Sequence, residues 1–351
     1  MKRDNRQEQH YQQQPARRRN RRYLHWAAGL ALLLGVVNAA LSLTAQSRES
    51  GNIEVVATIP PVADIIQELG GERVTVHSLL PAGASPHTFE PRPSDVRRIA
   101  TADLIVTVGE GLDVWVEKLL TAAGSSKTTR LAITSATRLL PARTNRILVT
   151  STPESGHTDA EHSHDHDDEG MYDPHVWLDP VRVRDDIAPA IVASLAKVDP
   201  AGRSYYQSRL KLYQAKLTEL DQELNRLLQP YRGFRFIAFH SAWRYMAERY
   251  GLEEAAAIEP FPGREPSPAW LAELQKLAKA QSACIIVAEV QFNPQIARML
   301  SQAINGVVVT LDPLGGPDVT GRSTYLELMR YNATELAKAA RQVRAERADG
   351  K

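Results

Sequence analysis

Cysteine is almost missing from the 351 residues: Cys284 is the single one. A disulfide within the chain is therefore excluded, and so is a metal site built from several thiolates. Cys284 lies in the run Ala283-Cys284-Ile285-Ile286-Val287-Ala288 and reads as a small core residue. Net charge is nearly missing too, because 42 Lys and Arg offset 41 Asp and Glu to leave +1. No global field draws nucleic acid, which is not expected as a partner. The chain also lacks a His-Glu-x-x-His pair and a Gly-x-Ser-x-Gly elbow, two common signatures of hydrolytic sites. Long apolar runs are missing with one exception, Trp26 to Leu43.

That exception follows Lys2, Arg3, Arg6, Arg17, Arg18, Arg19, Arg21 and Arg22, the order of an export signal. The small residue Ala45 suits cleavage, so residues 1–45 are expected to be a signal peptide, with an uncleaved anchor as the alternative. Either way the remainder is expected outside the cytoplasmic membrane. No cysteine stands just after the apolar run, so a periplasmic protein without a lipid anchor is expected.

From Asn52 onward, short β-branched runs alternate with helical stretches, the pattern of parallel α/β layers. Strands are predicted at Ile53 to Ile59, Val74 to Leu80, Leu104 to Val108 and Thr129 to Ile133. A second set is predicted at Arg235 to Phe239, Ala255 to Ile258, Cys284 to Ala288 and Val307 to Leu311. Two similar lobes account for this, residues 52–180 and 231–346, with linking helices over 181–230. In the linking region Tyr206, Leu210, Tyr213, Leu217, Leu220, Leu224 and Leu227 form one apolar stripe on a helix over Pro200 to Leu228. At 1.5 Å per residue this helix is roughly 40 Å long, enough to run along both lobes. A coiled-coil dimer is the competing account. An intramolecular role, and hence a monomer, is preferred.

Residues 151–170 differ in kind, with His157, His162, His164 and His166 among seven acidic residues, no Lys or Arg and almost nothing apolar. Such a tract cannot form a core, and its imidazoles suit metal binding, auxiliary to any site in the folded lobes. Outside this tract, the exported region holds His77, His87, His175 and His240. His77 falls inside a strand and is expected to be packed. His87 and His175 sit in proline-framed turns, while His240 and Asp312 each follow a strand, where open parallel sheets present ligands. Three neutral imidazoles and a carboxylate match the donors that zinc takes in tetrahedral geometry. Glu259, Glu265 and Glu289 are alternatives to Asp312, and Glu90, Trp177 and Arg264 are candidates for shaping the site from behind.

The segments PHTFEPRPSD around His87, DPHVWLDP around His175, FHSAWRYMAERYGL around His240, EPSP at Glu265 to Pro268 and TLDPLGG around Asp312 stand in one order. With them, residues 52–345 resemble the metal-binding solute-binding proteins of bacterial ABC uptake systems, the zinc and manganese group. The resemblance implies two (β/α) lobes joined by a long rigid helix, with metal in the cleft between them. It implies His87 and His175 as ligands from the first lobe, His240 and Asp312 from the second, and a membrane permease as partner. Members devoted to manganese usually carry Glu where this chain has His240, which favours Zn2+ over Mn2+ or iron as cargo. The acidic, His-rich tract just before the second ligand is similar to that of zinc members. A secreted zinc hydrolase and a surface adhesin of the same fold are the competing functions.

Overall fold

The computed structural model describes residues 52–125, 128–142, 171–259, 263 and 265–348. The expected signal segment 1–45, the tract carrying His157, His162, His164 and His166, and Arg264 lie outside the described residues.

β-branched and aliphatic runs form the strands β1 (Ile53–Ala57), β2 (Val74–Ser78), β3 (Leu104–Thr107) and β4 (Thr129–Ala132) of one sheet. A second sheet contains β5 (Arg235–His240), β6 (Glu253–Glu259), β7 (Ile285–Glu289) and β8 (Val307–Leu311). The strand orders are β2-β1-β3-β4 and β6-β5-β7-β8, and every pairing is parallel. The same order thus occurs twice, giving two α/β lobes. In each sheet the chain reverses its direction of progress between the two central strands. For the second sheet that switch point lies between β5 and β7, whose carboxyl ends are His240 and Glu289.

Parallel strands need crossovers, and these are helices opened by recognisable signals. Helix α1 (Pro60–Gly70) begins with two prolines. Helix α2 (Pro93–Thr101) has Pro at its first position, and Asp95 accepts the Arg92 backbone N–H at 2.7 Å. Helices α3 (Trp115–Ala123), α4 (Ala188–Val198), α5 (Arg203–Leu228), α6 (Arg244–Tyr250), α7 (Pro268–Ala280), α8 (Gln295–Ile304) and α9 (Tyr325–Ala348) complete the set. None of the helices among the described residues is long and apolar enough to cross a membrane.

Strand alternation sorts side chains onto two faces. Val55 and Ala57 of β1, and Phe236 and Ala238 of β5, join one large core that runs through both lobes along α5. The opposite faces carry separate clusters: Val56 and Ile105 beneath α2 and α3, and Ile237 and Phe239 beneath α7 and α8. On α5, Tyr206, Tyr213, Leu217, Leu220, Leu224 and Leu228 are buried, with Leu210 and Leu227 partly covered. Helices α1, α4 and α9 of the same chain cover this stripe. The long helix starts at Arg203, three residues inside the predicted range, because Pro200–Gly202 form a tighter turn.

Candidate metal centre

His87 lies on the loop between β2 and α2. That loop is held by Trp115, whose indole N–H donates to the Pro86 carbonyl at 2.9 Å and whose ring meets Phe89 at 4.9 Å. His175 immediately precedes a buried turn, Val176–Leu178, and its ring lies 5.3 Å from that of Trp177. The Trp177 indole N–H donates to the Pro313 carbonyl at 2.8 Å, tying this turn to the loop after β8. His240 is the last residue of β5. These three elements bring the imidazoles together: ring centroids are 5.2 Å apart for His175 and His240, 5.6 Å for His87 and His240, and 5.8 Å for His87 and His175. One ring nitrogen from each lies within 4.8 Å of the others.

The carboxylates behind two of the rings define which nitrogen faces inward. Asp173 Oδ1 accepts from both the backbone N–H and Nδ1 of His175, at 3.0 and 2.9 Å. Glu289 Oε1 stands 2.7 Å from His240 Nδ1 and also accepts the Trp243 indole N–H at 3.3 Å. With each carboxylate accepting a hydrogen bond from Nδ1–H, the Nε2 lone pair of its imidazole points into the site. The two Nε2 atoms are 3.3 Å apart, which matches the edge of a tetrahedron, about 3.3 Å, around a zinc ion with Zn–N bonds of 2.0–2.1 Å. His87 Nε2 is buried without a hydrogen-bond partner.

Burial, followed by the charges on His240 and His175, pushes the His87 pKa well below the ordinary imidazole value. The ring stays neutral and available as a ligand. At His240 burial is the largest influence and acts downward, but the charge and hydrogen bond of Glu289 outweigh it, leaving a raised pKa.

Asp312 is not part of this cluster of ring nitrogens. It is buried, and its Oδ1 accepts the backbone N–H groups of Leu314 and Gly315, each at 3.0 Å, and the Gln291 amide at 3.1 Å. Its Oδ2 pairs with Arg322 at 2.9 Å. Asn332 embraces its backbone from α9. The carboxylate therefore organises the loop that follows β8. Gly315 is needed there, since its φ is +60° and a Cβ would lie 2.4 Å from the Arg322 carbonyl.

His77, expected to be packed, is half-exposed on the edge strand β2 and pairs with Glu54 at 3.3 Å. Glu90 and Glu265 are exposed. Glu259 closes β6 and accepts from the Gly263 N–H at 3.2 Å. Glu289, considered as a ligand on sequence grounds, lies behind His240 as its hydrogen-bond acceptor. Asp173 was not singled out by sequence reasoning. Its signal is the Asp-Pro-His spacing, which lets one carboxylate reach both the backbone N–H and the Nδ1 of the residue two places on.

The family described as ZnuA, zinc-uptake complex component A periplasmic, matches residues 55–339. Among proteins of known character, the chain is 30% identical over 322 residues to the zinc-binding lipoprotein AdcA of Streptococcus pneumoniae, covering 89% of this chain and 61% of that protein. The chain thus spans somewhat less than two thirds of the AdcA length. It is 27% identical over 300 residues to the high-affinity zinc uptake system protein ZnuA of Yersinia pestis, covering 83% and 92% respectively. Among solved structures, a ZnuA deletion mutant with zinc bound aligns at a TM-score of 0.67 and 27% identity, covering 83% of this chain and 98% of that one. Two parallel four-stranded sheets, the convergent imidazoles and a match across nearly the whole folded region place the chain in one family: it belongs to the periplasmic zinc-uptake complex component A proteins.

Proposed function

We propose that this chain is the extracytoplasmic solute-binding component of an ABC-type uptake system, capturing Zn2+ on His87, His175 and His240 and passing it to a membrane permease. The observation that carries this reading is the convergence of three imidazoles, two of them set by buried carboxylates with Nε2 facing inward. An all-nitrogen donor set favours zinc over manganese, which prefers oxygen. The names of the AdcA and ZnuA relatives point the same way. The fourth position of the metal is taken by solvent, because the Asp312 oxygens are occupied by Arg322, Gln291 and two backbone N–H groups.

Binding rather than catalysis is the role that the surroundings support. The nearest buried carboxylates, Asp173 and Glu289, are engaged in holding imidazoles, whereas a zinc hydrolase needs a base free to act on metal-bound water. The protein works as a monomer in the periplasm without a lipid anchor, and the tract with His157, His162, His164 and His166 gathers further metal at lower affinity.

Competition titration of zinc against a chromogenic chelator tests the site. The wild type is expected to take one zinc tightly, and His87→Ala, His175→Ala and His240→Ala each to lose at least about a hundredfold in affinity, a strong loss for a metal that gives up one of three protein ligands. Asp312→Asn is expected to keep a tightly bound zinc. A loss for Asp312→Asn as large as for the histidine variants, with the fold intact, makes Asp312 a ligand instead.

A further inference from the structure

The two inward-facing imidazoles of His175 and His240 belong to different lobes, yet the seven-residue helix that follows His240 in the chain reaches the support of His175. Helix α6 begins four residues after His240 and turns its side chains toward the segment that carries His175. The Tyr245 hydroxyl donates to the Asp173 carbonyl at 2.8 Å and accepts the Leu140 N–H at 3.0 Å. Arg244 donates from Nη1 to the Pro141 carbonyl at 2.6 Å, and the same atom lies 3.7 Å from Asp173 Oδ2. At the far end of the segment, Arg249 makes a two-pronged pair with Asp179, both contacts at 2.8 Å.

Asp173 is the residue through which this grip reaches the site, because its other oxygen holds the His175 backbone and ring. Asp173 and His175 are each only 4% exposed, so their orientation depends on protein partners rather than on water. Asp173 Oδ2 is buried and has no hydrogen bond, which leaves the Arg244 guanidinium as the positive group facing it. Residues 140–142 and 171–173, which Arg244 and Tyr245 bind, are themselves zipped together: the Ala142 N–H donates to the Met171 carbonyl and the Asp173 N–H to the Leu140 carbonyl, each at 2.9 Å.

We infer that Arg244 and Tyr245 are positioning residues for the metal: through Asp173 they fix the His175 imidazole against His240, so that these two ligands are pre-set as a pair. This inference rests on the proposed zinc site. Partners behind a metal-ligating histidine commonly contribute ten- to a hundredfold in affinity. Arg244 acts one group further out, so a loss near tenfold is expected.

The test is a double-mutant cycle on the full chain, read by zinc competition titration and by the visible spectrum of the Co2+-substituted protein. Arg244→Ala and Tyr245→Phe should each weaken zinc by about three- to tenfold and alter the Co2+ spectrum, with Arg244→Lys recovering part of the loss. In a His175→Ala background the same substitutions should have no further effect, because the ring that they position is gone. In a His87→Ala background their effect should persist. Wild-type zinc affinity in Arg244→Ala and Tyr245→Phe overturns the inference, as does an equal loss in the His175→Ala background, which would mark general destabilisation. If His175→Ala itself binds zinc like the wild type, the site reading fails, whereas normal affinity in the α6 variants beside an impaired His175→Ala defeats only the inference.

Discussion

His87, His175 and His240 are chemically alike and environmentally different, and the difference predicts how protons compete with zinc. Metal needs neutral imidazole, so affinity falls as pH drops through the folded-state pKa of each ligand. His87, depressed by burial and by the neighbouring charges of His240 and His175, stays neutral to well below the ordinary value. His240, raised by Glu289 against the downward effect of burial, takes a proton at higher pH than His87 does. Zinc affinity is therefore expected to begin its decline above pH 6.5, as His240 takes up its proton, and to be at least tenfold weaker at pH 5 than at pH 7.5. Equal affinity at the two pH values in calorimetric titrations would contradict ligation by three imidazoles. At this scale the residue type and its neighbours in sequence revealed much. Proline-framed His87 and His175 and the strand-end His240 were recognisable, whereas Asp312 gave a signal shared by ligands and turn formers. The contacts of Arg322, Gln291 and the Leu314 and Gly315 amides, assembled by the fold, are what favours the turn-forming role in the proposal.

The eight strands were legible because β-branched runs report a half-buried pleated surface directly. β8 has the predicted bounds, and β6 extends beyond its predicted Ala255 to Ile258 because Glu253 and Glu254 continue the pairing to β5. Helix α6 was not legible as a support. Its partners Asp173 and Asp179 lie about 70 positions away, and neither propensity nor periodicity carries such pairings. The stem formed by residues 140–142 and 171–173 has its own consequence. It closes the base of the acidic, His-rich tract before the chain reaches His175. Deleting Ser155 to Glu169 is accordingly expected to leave the tight zinc site at wild-type affinity while removing weaker additional zinc equivalents from the titration. Loss of tight binding on that deletion would make the tract part of the primary site.

Across the described residues, the large core follows α5 through both lobes, and polar contacts add to it. One of these is Asp64 on α1, which accepts the Tyr325 N–H at the start of α9 at 2.8 Å. Burial pushes the Asp64 pKa up from 3.8 to about 6; Glu68 and Glu327 add to the rise, while the Tyr325 N–H and Lys216 oppose it. A carboxyl group with a raised folded-state pKa adds most to stability below its unfolded value, and that contribution is lost as pH rises through about 6. Asp64→Asn, uncharged throughout, is expected to stabilise the metal-free protein by about 2 kcal/mol at pH 7.5, with the gain vanishing toward pH 4. Urea denaturation at the two pH values measures this directly, and an equal gain at both would show that the buried charge is not the cause.

Two sheets of one topology, a shared core and imidazoles contributed from both sides form the frame of the proposed zinc site. Anomalous diffraction at the zinc edge from crystals of the zinc-loaded protein tests that account most directly. One strong peak is expected within bonding distance, about 2.0–2.1 Å, of the Nε2 atoms of His175 and His240 and of a His87 ring nitrogen, with Asp312 still bound to Arg322. A peak coordinated by Asp312, or one lacking any of the three imidazoles, would contradict it.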